Sequence, residues 1–203
     1  MISKNIKFVM FDFDGTICHT MNFSTNKLKE LFFLYYPNSS IDDFYLFREK
    51  FKGVPVSEKL NYISSKDFLK LKENWLLEYK QGFDKCEIYD GWISIFERLI
   101  EKGIKMVIVS NKYRELLIEM LKYFSLDKYF FDVIGEDTYR YYKPDVRLSL
   151  ELCKKYDLKP NEILYVGNSE VDRMFYENSG FYGFVSEDND ERISFMKEFI
   201  TKI

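Results

Sequence analysis

The sequence predicts an α/β protein: a parallel sheet core whose first strand is separated from the remaining strands by an inserted block of helices. Three observations predict it. Ile6 to Phe11 is a short apolar run that ends in Asp12, Asp14 and Gly15, as a buried strand ends in a loop. From about Met21 to Gly82 the chain runs through long Leu, Phe, Lys and Glu stretches without strand-like alternation. After Asp90 helix and strand patterns alternate to residue 203, an order that gives parallel strands joined by right-handed crossovers with helices on both faces.

Each element has its own signal. In the helical block, Asn26 to Tyr36 and Ser65 to Tyr79 read as helices, with breaks at Pro37 and at Gly53-Val54-Pro55. Asp90 is positioned to cap a helix with the stripe Trp92, Phe96, Leu99 and Ile100, which Gly103 stops. Ile104 to Val109 reads as a strand, and Tyr113 to Phe124 as a helix with Leu116, Leu117, Met120 and Leu121 on one face. A short strand at Phe131 to Ile134 precedes a helix whose stripe is Val146, Leu150 and Cys153. Ile163 to Val166 is a strand, Val171 to Asn178 a helix, Phe181 to Val185 a last strand, and 188 to 203 a closing helix carrying Ile193, Met196 and Ile200.

Composition removes several function classes. With 46% hydrophobic and 31% charged residues, nine Gly and four Pro, the chain is neither low-complexity nor disordered. Thirty basic against 33 acidic residues give a net charge of −3, so no nucleic-acid or anionic-membrane footprint is expected. Cys18, Cys86 and Cys153 are odd in number, far apart and without metal-type spacing, which predicts a reducing, cytoplasmic setting. The opening MISKNIKFVMFDFDG has an apolar run too short and too interrupted for a signal peptide or a membrane span. A small-molecule partner and a monomer or weak homodimer are the expectation.

The chemistry gathers at strand ends. FVMF runs into Asp12-Phe13-Asp14-Gly15-Thr16, MVIV into Ser110-Asn111, and ILYV into Gly167-Asn168-Ser169, while Lys143-Pro144 lies in the loop after the strand near Ile134. In an open parallel sheet ligands bind outside the carboxyl ends of the strands, so these four loops should face one crevice.

The series DFDGT, VSN, KP and VGNSxxD resembles the four motifs of the haloacid dehalogenase superfamily. It looks closest to the capped phosphatase subgroup of phosphoglycolate phosphatase and β-phosphoglucomutase type, and EIYDGWISIFERLIEKGIKMVIVSNK resembles that family's approach to its second motif. The resemblance implies a Rossmann-like core of residues 1–17 and 86–203 and an α-helical cap of residues 18–85. It also implies a Mg²⁺-dependent phosphatase that acts on a small phosphorylated metabolite through an aspartyl-phosphate.

Asp12 is then the expected nucleophile: a carboxylate with a pKa near ~4 is ionised at neutral pH without a base, but needs a cation between itself and an anionic phosphate. Asp14 suits the acid that protonates the leaving oxygen and then the base that activates water. Gly15 permits a tight turn or close backbone approach, and Thr16 is either a phosphoryl contact or a helix cap. By the resemblance, Ser110 hydrogen-bonds the transferring phosphoryl group and Asn111 supports the substrate oxygens. Lys143 supplies a point charge and orients the nucleophile. Lys52 and Gly53 belong to a loop resembling the cap segment that sorts substrates.

The fourth motif departs from the pattern. Asn168 stands where the family usually has Asp, while Asp172 is retained. The expected metal ligands are therefore Asp12, the Asp14 backbone carbonyl, Asn168 and Asp172, with one negative charge fewer than usual. Two alternatives stay open: a sugar-phosphate phosphomutase, and a phospho-ligand binder without turnover, the latter motivated by Asn168. His19 reads as a residue of the connection into the cap, and Cys18 as a buried small apolar side chain.

Overall fold

A computed structural model describes residues 5–203. Five parallel strands form the sheet: β1 (Phe8–Phe11), β4 (Lys105–Val109), β5 (Asp132–Ile134), β6 (Ile163–Gly167) and β7 (Tyr182–Val185), in the order β5-β4-β1-β6-β7. β1 is the central strand, with Phe8 opposite Lys105 on one side and Ile163 on the other. The chain fills one side of β1 and then the other, so the sheet reverses direction beside β1, the place where open α/β sheets form their crevice.

The period of two along β1 explains why the strand is apolar throughout. Val9 and Phe11 join one hydrophobic cluster with Met106, Ile108, Leu164 and Val166, whereas Phe8 and Met10 join another with Val107, Val109, Ile163 and Tyr165. The first face is covered by α5 (Trp92–Glu101), α6 (Arg114–Tyr123) and α9 (Asn189–Lys202), the second by α7 (Val146–Tyr156) and α8 (Glu170–Ser179).

Between β1 and β4 the chain leaves through β2 (Cys18–His19) and returns through β3 (Glu87–Ile88). These two strands pair antiparallel, Cys18 against Ile88 and His19 against Glu87. The excursion holds α1 (Met21–Tyr35), α2 (Ile41–Lys50), α3 (Val56–Ile63) and α4 (Phe68–Lys80). Its apolar centre is aromatic: Phe32 packs on Phe44 and Phe47 at centroid distances of 5.6 and 5.2 Å. Cys18 is fully buried, as expected of a small apolar side chain.

Two helix readings need correction. Asp90 does not cap α5; Gly91 occupies the N-cap at φ +91°, without a side-chain cap bond, and Ile95 replaces Ile100 in the buried stripe. Ile100 is half exposed. On α7 the buried residues are Leu148, Ser149 and Leu152, while Val146 and Leu150 face outward. The stripe drawn through Val146 and Leu150 is displaced by two residues, more than half a turn. Both sets satisfy helical spacing, and the sheet selected the pair Leu148 and Leu152. The predicted closing helix matches α9, with Ile193, Met196 and Ile200 buried.

Candidate active site

The predicted loops meet at the carboxyl ends of β1, β4 and β6. Asp12 follows β1 directly, and its backbone amide continues the sheet by donating to the Val166 carbonyl at 2.9 Å. The turn after it is tight: Ile17 and Cys18 both donate to the Phe13 carbonyl at 3.0 Å. Gly15 sits at φ +79°, and a Cβ there would lie 2.4 Å from Asn168 Nδ2. Glycine thus lets the β1 loop pass against the β6 loop, the close approach expected of it.

Lys143 is the centre of the buried network. Its side chain is 3% exposed. Nζ donates to Asp12 Oδ1 at 2.7 Å, to Asp172 Oδ1 at 2.6 Å and to the Tyr165 hydroxyl at 2.8 Å. Asp172 lies in the first turn of α8, where a capping box with Ser169 fixes it. Its Oδ1 also accepts from Tyr165 at 2.7 Å, and its Oδ2 accepts from Ser169 Oγ at 2.6 Å, Ser169 N at 3.0 Å and Asn168 N at 3.2 Å. Burial alone would raise the Asp172 carboxyl, but the Lys143 charge and the bonds from Lys143, Ser169 and Tyr165 hold it below the usual range. The expected metal ligand Asp172 is therefore committed at both oxygens, and acts here as the counter-ion that seats Lys143.

Asp12 differs from the ordinary carboxylate assumed from sequence. Burial pushes its carboxyl upward more than Lys143 pulls it down, and the charges of Asp172 and Asp14 add to the rise. Its second oxygen, Oδ2, lies 3.2 Å from the Thr16 hydroxyl, which is also 3.2 Å from Asn168 Oδ1. Thr16 is thus not a helix cap but a bridge between the first and fourth motifs, with its carbonyl held by Trp92 Nε1 at 2.9 Å. Asp12 Oδ2 and Asn168 Oδ1 both face the Thr16 hydroxyl. Among the described residues no three His, Cys, Asp or Glu side chains converge into a metal-type cluster.

Asp14 faces a different set of partners. Oδ1 accepts from Thr20 Oγ1 at 2.6 Å and from Lys112 Nζ at 2.9 Å. Lys112 in turn donates to the Tyr79 hydroxyl at 2.8 Å, and that hydroxyl lies 2.6 Å from Ser24 Oγ. A hydrogen-bonded chain therefore runs from Asp14 into α1 and α4. Lys112 stays protonated: burial lowers its pKa, but Asp14 and Tyr79 more than reverse that.

The remaining predicted residues divide. Ser110 is buried at the end of β4, beside the other loops, and its amide bonds to the Ile134 carbonyl at 3.0 Å. Asn111 is not free for substrate oxygens. Its Nδ2 donates to the Lys143 carbonyl at 2.8 Å and the Gly53 carbonyl at 2.9 Å, and its Oδ1 accepts from Lys143 N at 3.0 Å. It is a brace that joins the lysine loop to the α2–α3 loop. Gly53, at φ +71°, packs on Val171 so closely that a Cβ would lie 2.2 Å from Cγ2. Lys52 beside it is exposed and touches none of these groups. Tyr139 and Tyr141 pack on the α7 side of the sheet rather than at the crevice.

Sequence reasoning missed Lys112, Tyr165 and Glu136. Lys112 directly follows Asn111, and this adjacency to a motif was the available signal. Glu136 accepts from Val56 N at 3.0 Å and Ser57 N at 3.3 Å, so a core carboxylate holds the amino end of α3. Burial pushes its carboxyl up to about 7 against those hydrogen bonds. Nothing local in the sequence points to a partner 80 residues away.

A buried Asp–Lys pair thus stands at the carboxyl end of the central strand of a parallel sheet, with a helical insert bonded over it, the arrangement of an α/β protein with a strand-end site. The sequence profile described as haloacid dehalogenase-like hydrolase matches residues 9–181, and the chain belongs to that family. A phosphoglycolate phosphatase of Vibrio parahaemolyticus is 28% identical over 198 residues, covering 91% of this chain and 85% of that protein. A pyrophosphatase PpaX of Halalkalibacterium halodurans is 25% identical over 178 residues, covering 86% and 80%. In fold, the chain resembles CbbY from Rhodobacter sphaeroides in complex with phosphate, with a TM-score of 0.76 at 13% identity over 89% of this chain and 86% of the other.

Proposed function

We propose that the protein is a phosphatase that hydrolyses a small phosphorylated metabolite through an aspartyl-phosphate on Asp12. The observation that carries this reading is the division of labour at Asp12. One oxygen is fixed by Lys143 at 2.7 Å, which leaves Oδ2 beside Thr16 at 3.2 Å for attack on phosphorus. As the Asp12–phosphorus bond forms, the ester P–O bond breaks and the leaving oxygen takes a proton from Asp14. A water then attacks phosphorus, gives its proton to Asp14, and releases phosphate and the free Asp12 carboxylate. Lys143 opposes the charge that builds on the phosphoryl oxygens, and Ser110 offers them a hydroxyl. The names of the relatives, a phosphoglycolate phosphatase and a pyrophosphatase, support the same chemistry.

The oxygens at the site suit Mg²⁺, which prefers hard oxygen donors and keeps several waters. Asn168 Oδ1 and the Asp12 carboxylate meet at the Thr16 hydroxyl, 3.2 Å from each. With the Asp14 backbone carbonyl they are the residues that would hold the ion. A bound Mg²⁺ would screen the repulsion between Asp12 and the phosphate. In this reading the helical insert of α1–α4 is a cap that excludes water from the crevice.

The test is phosphate release from an aryl phosphate and a panel of metabolite phosphates, with and without Mg²⁺, for the parent and Asp12→Asn. Release that requires both the metal and Asp12 is the expected result. Undiminished release from Asp12→Asn would refute the covalent route.

A further inference from the structure

Arg192 is a charged side chain that the phosphatase reading leaves without a task. It lies in the first turn of α9 and is fully buried. Its Nη2 donates to the Gly15 carbonyl at 3.1 Å and its Nη1 to the Ser186 carbonyl, while Nε has no partner. The guanidinium lies over the Tyr89 ring, 5.6 Å from its centroid. Among the described residues no carboxylate reaches it as an ion pair. A buried guanidinium is as a rule paired with an acid, so one given to two main-chain carbonyls serves to hold the backbone.

Both carbonyls belong to segments that carry site residues. The Gly15 carbonyl is in the peptide plane before Thr16, and the Thr16 carbonyl, in the plane after it, is held by Trp92 Nε1 at 2.9 Å. Peptide units are rigid planes, so fixing the two that flank a residue fixes its φ and ψ and the direction of its Cβ. Thr16 is thereby aimed: its hydroxyl stands 3.2 Å from Asp12 Oδ2 and from Asn168 Oδ1. On the other arm, Ser186 donates its amide to the Gly167 carbonyl at 3.3 Å, in the peptide plane before Asn168. One guanidinium therefore spans from the turn after Asp12 to the strand end before Asn168, and it bonds to neither of those residues.

We infer that Arg192 is a positioning residue for the nucleophile. It acts through Gly15 and Ser186 to keep the Thr16 hydroxyl on Asp12 Oδ2 and to hold Asn168 against the same turn. The kinetic consequence rests on the phosphatase reading above, and the effect on the turn does not. A reacting group displaced by about 1 Å through a change remote from the chemistry loses about a hundredfold in rate. Arg192→Met should therefore lower kcat by about tenfold to hundredfold and leave KM nearly unchanged, since the groups that would bind substrate stay in place.

The experiment measures kcat and KM for 4-nitrophenyl phosphate in the parent, Arg192→Met, Arg192→Lys and Met196→Ala, each checked as folded by circular dichroism. Met196 is fully buried one turn further along α9 and serves as the control for a loosened helix. Arg192→Lys keeps the charge but lacks the planar fork, so most of the loss should remain. A kcat loss in Arg192→Met no greater than in Met196→Ala, or full recovery in Arg192→Lys, overturns the inference. Hydrogen exchange without added metal or substrate follows the amides of Ile17 and Cys18, which close the turn on the Phe13 carbonyl. Relative to the amides of β4, their exchange should quicken about tenfold in Arg192→Met and not in Met196→Ala. An unchanged ratio overturns the inference whatever the activity. If the parent itself turns over no substrate, selective quickening still supports Arg192 as the brace of the Asp12 turn, and only the phosphatase reading fails. Should Arg192→Met not fold, Arg192→Lys carries both measurements.

Discussion

Replacing Lys143 by Met removes one cation and strands two buried carboxylates. Lys143 meets Asp12 at 2.7 Å and Asp172 at 2.6 Å, with all three side chains 8% exposed or less. Removing one partner of a buried pair costs about 3–5 kcal/mol. The two carboxylates do not suffer equally. Asp172 keeps the bonds from Tyr165, Ser169 and the Asn168 amide, whereas Asp12 keeps only Thr16. The penalty should therefore stay near the single-pair value, and for a chain of this size it lowers Tm by roughly 6–20 °C.

The pH dependence gives the sharper criterion. Asp12 has a folded pKa above its unfolded value, so its contribution is present at low pH and is lost as pH rises through the folded pKa. Without Lys143 that pKa moves higher still and the loss deepens. Asp172 has a folded pKa held below its unfolded value, and the stability it brings above the unfolded pKa shrinks once Lys143 is gone. Both shifts make the deficit of Lys143→Met larger at pH 8 than at pH 5. Urea denaturation of parent and variant at the two pH values measures it. A deficit under about 1 kcal/mol at pH 8, or one equal at both pH values, would refute the account of Lys143 as the shared counter-ion.

Three further outcomes are expected. Glu136, with its carboxyl raised to about 7, binds an extra proton in the folded state at mildly acid pH, so stability should fall by up to roughly 3 kcal/mol as pH rises from 4.5 towards 7; Glu136→Gln should remove that part of the slope in urea titrations at pH 5 and 8. Asn168→Asp restores a carboxylate opposite Asp12 and should tighten Mg²⁺ about tenfold or more, read as the concentration giving half-maximal phosphate release; an unchanged midpoint would exclude Asn168 from the metal's surroundings. Leu152→Ala, in a fully buried position, should cost about 2–5 kcal/mol, against under about 0.5 kcal/mol for Leu150→Ala at a position 64% exposed; comparable costs would contradict the orientation of α7.

Most of the fold was legible because both of its periodicities were local. The strands around Asp12, Ser110 and Asn168 are short apolar runs that end in polar residues, and glycine punctuation marks where several neighbouring helices stop. The face of α7 was not legible: Val146 with Leu150 and Leu148 with Leu152 fit a helix equally well, and only the neighbouring sheet decides between them. At the site, the types of side chain were readable but their assignments were not. Asn111 looks like a substrate contact from its place after Ser110, yet it is consumed by Gly53 and Lys143, which are close only in space. Asp172 looks like a ligand from its spacing to Asn168, yet five donors from four residues already occupy it. Lys112 and Glu136 also stand just past strand ends, but their partners Tyr79, Val56 and Ser57 lie on helices of the insert, far away in sequence.

The central place of β1 also bears on how the protein is made. The strand that carries Asp12 emerges from the ribosome first, but its two neighbours contain Lys105 and Ile163. Until β4 has been synthesised, Phe8–Phe11 has no partner on either edge, and until β6 follows it is an open apolar edge of the kind that recruits other chains. The helical insert and the β2–β3 pair that closes it precede both of these neighbours along the chain. A nascent chain halted before β6 would thus lack the strand whose Val166 carbonyl receives the Asp12 amide. Completion of the sheet and assembly of the reactive carboxylate are therefore a single late event in synthesis.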